Sequence, residues 1–219
     1  SLDSLKQHCL IFYLLLDYAI PELVNGSTVG FWTEWKLPEP AVRYAQQVFI
    51  PRRFQYLMSG YWLLDHGQIP LGLTYLSDPS VEADWAPRIL RAAVIYGCYY
   101  EARCYMTSTV KAQLEETRQD IAVLMLVHLH NNLDEAFFYQ RKFRNSDPEL
   151  CAYLFEQMLI HCLSPVSRRS EVDRLLEFPF DAVEEARLIQ FCECSDSIMA
   201  KDFLAMYFIH HGRHIEAIR

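Results

Sequence analysis

The sequence predicts an all-α protein, an irregular α-solenoid of stacked helical hairpins. Three observations lead there. No segment sustains the apolar–polar alternation of a strand, whereas apolar residues recur at helical spacing along most of the chain. Leu, Ala, Glu and Arg outweigh Val and Thr, and only 7 Gly and 10 Pro occur in 219 residues, a balance that favours helix. One grammar then recurs four times: His66-Gly67 followed by Gly72, Tyr96-Gly97 by Ala102, His130-Asn131 by Ala136, and His211-Gly212 by Ala217. In each, a ring precedes Gly or Asn, and a small residue follows five positions later. Gly or Asn just past a helix end can take the left-handed conformation that caps it. A small residue one turn into the next helix lets two backbones approach.

The elements follow in order. Leu2, Leu5, Cys9, Phe12 and Leu16 fall near a 3.6 period, so residues 2–18 read as a helix, apolar all round at its centre and hence buried. Pro21, Asn25-Gly26, Gly30, Pro38 and Pro40 break the pattern over 21–40. Helix resumes over 41–49, pauses at Pro51, runs over 53–65 and ends at Gly67. Pro70 opens a short helix to Leu76, and Ser77-Asp78-Pro79-Ser80 is a turn. Asp84 is the N-cap candidate for a helix from Trp85 to Tyr96, paired with one over 98–106. Longer helices cover 109–130 and 133–143. Ser146 and Glu149 form a capping box for a helix to Leu163; Asp181 and Glu184 form another for a helix to Cys192. Between them lie a loop around Pro165, a short helix over 171–177 and the interrupting Phe178-Pro179-Phe180. The last hairpin is 198–211 and 213–219. Gly67, Gly97 and Asn131 are spaced 30 and then 34 residues apart, within the range of stacked hairpins, while Gly212 follows only after 81. Residues 1–219 thus read as one domain, less regular over 1–50 and built of stacked hairpins over 51–219. Tetratricopeptide repeats are the nearest regular array, but the Trp-Leu-Gly-Tyr set of their first helix is absent.

Charge and motif content narrow the function. A net charge of −8 disfavours nucleic-acid binding, which needs a positive field. Arg52-Arg53 and Arg168-Arg169 are only doublets and read as solvated surface, though either could touch a protein partner. Seven cysteines, an odd number in helical apolar contexts, suit buried thiols in a reducing compartment. The longest apolar run, Cys9 to Leu16, is too short to span a bilayer. The chain begins at Ser1 and ends on an incomplete helix, and so reads as a piece of a longer protein. His210, His211 and His214 are the tempting metal cluster, but Gly212 sits between them and no HExxH motif is present. His128 and His130 point to different sides of a helix, and Cys192-Glu193-Cys194 lacks CxxC spacing. No phosphate loop, dinucleotide fingerprint or nucleophile elbow occurs. The reading is a non-enzyme without cofactor. Trp32 and Trp35 lie in the breaker-rich segment, either folded back as a plug or presented as a partner anchor. Together with the two arginine doublets they are the candidate partner-binding residues.

One further pattern is more specific. Gly60-Tyr61-Trp62-Leu63-Leu64-Asp65-His66 is followed by Asp78-Pro79, Trp85, Arg88-Ile89-Leu90 and the Gly97 to Ala102 turn. Later come Leu175-Leu176-Glu177-Phe178-Pro179-Phe180, Glu184-Glu185, Leu188, Phe203-Leu204 and the Gly212 to Ala217 turn. Together these resemble the helical domain of the ELYS family of nuclear-pore assembly nucleoporins, well over 44–219 and loosely over 1–43. The resemblance implies a scaffold at the nuclear envelope that docks onto the Y-shaped outer-ring complex near its short arm. The β-propeller and AT-hook tail of animal members and the RING module of a plant relative have no counterpart in these residues, so chromatin binding and ligase activity are not carried over. Two other classes compete: a solenoid adaptor in a ubiquitin-ligase or vesicle-coat assembly, and a metal-dependent hydrolase using the histidine cluster.

Overall fold

The computed structural model describes residues 2–19, 35–108, 114–115 and 117–218. Thirteen α-helices and one 3-10 turn, with no strand, make up its regular structure among these residues. The chain divides into two compact units, Ser1–Val127 and His128–Arg219, and the division falls inside a helix.

The first unit holds α1 (Leu2–Leu16), α2 (Glu39–Gln47), α3 (Arg52–Asp65), α4 (Ile69–Leu76), α5 (Ala86–Ile95), α6 (Tyr99–Ser108) and the start of α7 (Arg118–Asn131). Consecutive helices pair: α3 with α4, α4 with α5, and α5 with α6, while α1 lies against both α2 and α3. The α1 face carrying Cys9, Phe12 and Leu16 meets Ala41 and Ala45 of α2 and Trp62 and Leu63 of α3. Trp62 is fully buried, and its indole N–H donates to Asp17 Oδ1 at 2.8 Å, so the core's largest side chain has no orphan donor. Between α3 and α4 the backbones come unusually close. A Cβ at Gly60 would lie 2.5 Å from Leu76 Cγ, and one at Gly72 would lie 3.0 Å from the Gly60 carbonyl oxygen. Gly72 was legible as the small residue after the turn, whereas its partner Gly60 was not.

Three helix reversals use one geometry. Gly67, Gly97 and Gly212 all have φ of +72°. At each, the amide of the following residue reaches back five positions: Gln68 to the Leu63 carbonyl, Cys98 to Ala93, and Arg213 to Phe208, at 2.7–2.9 Å. This is the Schellman closure, and it satisfies carbonyls that the ending helix leaves free. The preceding ring has its own task at two of the three. His66 stacks on Trp62 at 4.0 Å, and His211 packs on Tyr207 at 4.2 Å. In both, Nδ1–H donates to the carbonyl of that same aromatic residue, at 2.7 and 2.9 Å. The fourth reversal is built differently. Asn131 stays helical, and Asn132, extended at φ −157°, caps the next helix by accepting from the amides of Asp134 and Glu135. Asn serves helix starts as well as left-handed ends, and here the amide-capping role wins.

Two caps also depart from expectation. Asp84 does not cap α5. Trp85 holds that position in the left-handed region, with no side-chain cap bond. Asp147, not Ser146, caps the helix that follows it, accepting from the Leu150 amide.

The second unit holds α8 (Leu133–Arg141), α9 (Pro148–Cys162), α10 (Arg169–Leu176), α11 (Ala182–Cys194), α12 (Ile198–His210) and the short α13 (His214–Ala217). Seven residues of α9, from Leu150 to Cys162, are buried, and the helix touches α8, α10 and α11. Phe178 stacks on Phe137 at 4.3 Å, and Phe180 sets its edge against Phe137 and Phe155. The Phe178-Pro179-Phe180 interruption therefore works as a core plug.

The same unit contains a buried charge. Glu184 is 4% exposed at the start of α11. Its carboxylate accepts from Arg141 at 2.5 and 2.8 Å, Arg144 at 2.7 Å, Gln140 at 3.0 Å and the Asp181 amide at 3.1 Å. Burial alone would raise its pKa, but Arg141, the Asp181 amide and Gln140 outweigh that and hold it below the ordinary value of 4.5. Since the folded value is depressed, the stabilisation is complete above 4.5 and is lost as pH falls through the folded value. Glu184→Gln is expected to cost about 3 kcal/mol at neutral pH, because two cations lose their buried counter-charge. Urea unfolding at neutral pH and at a pH below 4.5 should show this gap closing as the carboxylate protonates. A gap of equal size at both pH values would assign the loss to packing instead.

Candidate partner-docking surface

Of the sequence-derived candidates, Trp32 lies outside the described residues, and Trp35 turns inward. Trp35 is 9% exposed, stacks on Trp62 at 5.5 Å and meets the edge of Tyr75 at 5.6 Å. The ring fills the core rather than offering itself at the surface. The arginine doublets are exposed at the first turns of two helices. Arg52 donates to Tyr56 Oη and Arg53 lies over the Phe54 ring. The Arg168 amide donates to Glu171 Oε2 at the start of α10, while the guanidinium groups of Arg168 and Arg169 form no ion pair among the described residues.

The histidine cluster does not converge. His211 is committed to Tyr207, and no three His, Cys, Asp or Glu side chains among the described residues gather as a metal site. Burial pushes the Cys162 and Cys192 thiols up to about 12, so neither is a thiolate at neutral pH. The two strongly buried carboxylates among the described residues, Asp120 and Glu184, are both engaged by several donors and are therefore structural. No described helix is long and apolar enough to cross a membrane.

What the first unit does present is two exposed aromatic rings on left-handed backbone. Only two non-glycine residues among those described have positive φ, and both are large exposed rings: Phe49 at +55° and 86% exposed, and Trp85 at +62° and 64% exposed. Phe49 stands where the other turns place glycine. The Ile50 amide bonds back to the Ala45 carbonyl at 2.9 Å, the same five-residue closure seen at Gly67, Gly97 and Gly212. Trp85 lies against Tyr61, centroids 6.1 Å apart, and Tyr61 donates its hydroxyl to the Asp84 carbonyl at 2.9 Å. Beside Trp85 opens a cleft of about 880 Å³ floored by Ala86, Arg91, Tyr105 and Asp120. Glu82 borders it and also a smaller cleft of about 130 Å³ with Arg53, Leu57 and Ser80. The Arg91–Asp120 pair, at 2.6 Å, is closed by Thr117, so these charges are spent within the fold. In the sequence Trp85 reads as a helix start and as part of the ELYS-like pattern, not as a surface anchor. A sequence does not say whether a tryptophan beside a cap faces in or out.

With the fold in view, comparison with known proteins becomes decisive. The profile of a family described as ELYS, nuclear pore complex assembly, matches residues 1–195. The chain belongs to the ELYS family. Protein ELYS of Homo sapiens is 23% identical over 218 residues, and Protein ELYS of Xenopus laevis 22% over 223. These alignments take in 97% and 99% of the chain but only 9% and 8% of the relatives' lengths. The protein ely5 of Schizosaccharomyces pombe, described as uncharacterized, is 28% identical over 90 residues, which is 41% of the chain and 24% of ely5. The ELYS match starts at residue 1, includes the first 43 residues where the resemblance was looser, and stops before the last hairpin. It runs through both compact units, so the family domain is not confined to either.

Trp35→Ala is expected to destabilise the ELYS-family fold by about 3 kcal/mol, as for other buried tryptophans. Thermal unfolding checks this. A change in melting temperature under about 1 °C would show that the ring does little for the core.

Proposed function

We propose that this chain is a non-enzymatic scaffold module that docks onto the Y-shaped outer-ring complex of the nuclear pore, near its short arm, and supports pore assembly at the nuclear envelope. The supporting observation is the family match across both compact units, to a family whose description is nuclear pore complex assembly. The side-chain chemistry agrees with a binding role. Buried polar groups such as Glu184 and Asp120 are closed into structural networks, and the exposed features are aromatic rings and unpaired arginines. The two units act together as one family domain in this reading. Arg52, Arg53, Arg168 and Arg169 are proposed as partner contacts at its surface.

The test is direct binding to a reconstituted short-arm subcomplex. Co-elution on size exclusion is expected, with a Kd of about 1 μM or tighter, as specific interfaces give. Duplex DNA at about 0.15 M salt is expected to bind no tighter than a non-specific ligand, about 100 μM, because the chain is acidic. Failure to co-elute, with the chain folded by circular dichroism, overturns the proposal.

A further inference from the structure

Phe49 and Trp85 share three unusual properties. Each is a bulky side chain in the left-handed region, where such residues are rare outliers. Each is largely solvent-exposed, so burial does not explain the strain. Each stands two residues before a proline that opens a helix, Pro51 and Pro87. Backbone strain of this kind persists where the surroundings impose it, and it clusters at ligand clamps and binding sites. Glycine would remove it at no steric cost, and glycine does occupy the position that matches Phe49 at Gly67, Gly97 and Gly212, whereas Trp85 takes the conformation at the N-cap of α5. An exposed aromatic ring kept at such a position is explained by what the ring touches outside the chain.

The surroundings of Trp85 define the chemistry of that contact. Helix α3 turns Arg53, Leu57 and Tyr61 to one side, four residues apart each time, along about 12 Å of helix. Arg53 and Leu57 border the small cleft with Ser80 and Glu82, and Tyr61 carries Trp85. The loop that closes this face supplies Glu82 and Asp84, both exposed and neither engaging a cation among the described residues. Asp84 lies close enough to Tyr61 to help push the phenol's pKa up, after burial itself. Arg53 and Arg88 border the same clefts, but neither forms an ion pair with Glu82 or Asp84, and an exposed indole beside two unpaired carboxylates attracts a cation, because the ring quadrupole and the carboxylates act in the same sense. Arg91 does not compete for these carboxylates, being held by Asp120. Arg88 also borders the larger cleft, and its free guanidinium leaves room for one acidic residue beside the cation.

We infer that Trp85, with Glu82 and Asp84, forms a docking site for a basic segment of the partner, which lays an arginine or lysine across the indole, and that Phe49 is a second anchor on the same unit. The inference rests on the docking function proposed above and names the surface and the partner chemistry.

The experiment uses the whole chain and the reconstituted short-arm subcomplex. Trp85→Gly and Phe49→Gly relieve the strained backbone, so the melting temperature of each is expected to stay within about 1 °C of wild type or to rise. Each is expected to weaken binding at least about tenfold, as loss of a hot-spot ring does. Glu82→Lys combined with Asp84→Lys is expected to weaken binding by a similar factor, and the loss should shrink as salt is raised. Glycine variants that bind within about twofold of wild type overturn the surface while leaving docking intact. Glycine variants that melt about 5 °C lower overturn it too, because the rings would then be structural. If the charge variant binds like wild type while Trp85→Gly does not, the basic partner is excluded. A wild-type chain that fails to bind the subcomplex removes the docking reading and this site's partner together.

Discussion

Short helices need a partner, and that need governs the structure. Most helices here run eight to fifteen residues, a length at which an isolated helix is marginal in water. Each gains its stability by laying an apolar face on a neighbour, and at three of the reversals the chain turns back within three residues. The left-handed glycine makes this possible. At Gly67, Gly97 and Gly212 one residue with φ of +72° closes the ending helix and launches the next. The ring before it strengthens the device at His66 and His211, where an imidazole both stacks on an aromatic residue and bonds its carbonyl. Once the reversal is fixed, the next helix starts at a set distance, and at Gly72 a small residue lies where two backbones meet.

This explains what the sequence disclosed. The glycine turns were legible because only glycine takes that conformation freely, so the residue type carries the geometry. Asn131 misled because asparagine serves two ends of a helix, and its neighbour Asn132 took the other role. Asp84 misled for a related reason: a cap needs an extended backbone as well as an oxygen, and the chain places Trp85 at the cap in a left-handed conformation instead. Glu184 was legible as half of a capping box. Its larger role was not, since Arg141 and Arg144 lie 43 and 40 residues away and no local pattern links them. The same limit hid Gly60, whose need for a missing Cβ arises from Leu76 and Gly72 on another helix. Trp35 left two readings open, and only its stacking on Trp62 separates them.

The buried charge network and the glycine turns divide the work of specification. Hydrophobic cores tolerate many substitutions if volume and pattern are kept, so identity of 22–23% to ELYS relatives is compatible with one packing scheme. Turn residues and buried ions are less forgiving. The Glu184 carboxylate ties the end of α8 and the turn after it to the start of α11 through Arg141 and Arg144, and breaking that contact leaves a buried charge without its partner. Phe178 and Phe180 pin the same region from the apolar side. The second unit is thus fixed by two mutually consistent sets of contacts.

How the fold spends its charges separates interior from surface function. Arg91, Arg141, Arg144, Arg174 and Arg213 each bind a carboxylate, so removing any of them acts first on stability. Arg88, Arg168 and Arg169 bind none among the described residues, and Glu82 and Asp84 bind no cation there. Groups that the fold leaves uncommitted, at exposed positions, are free to recognise something else. The left-handed backbone draws the same line. Where glycine takes it, the conformation serves the reversal and asks nothing of a side chain. Where Phe49 and Trp85 take it, the chain accepts strain that glycine would remove, and the rings so held stand in solvent. A fold that solves its turns with glycine three times gains nothing in stability from an exposed aromatic at the equivalent position.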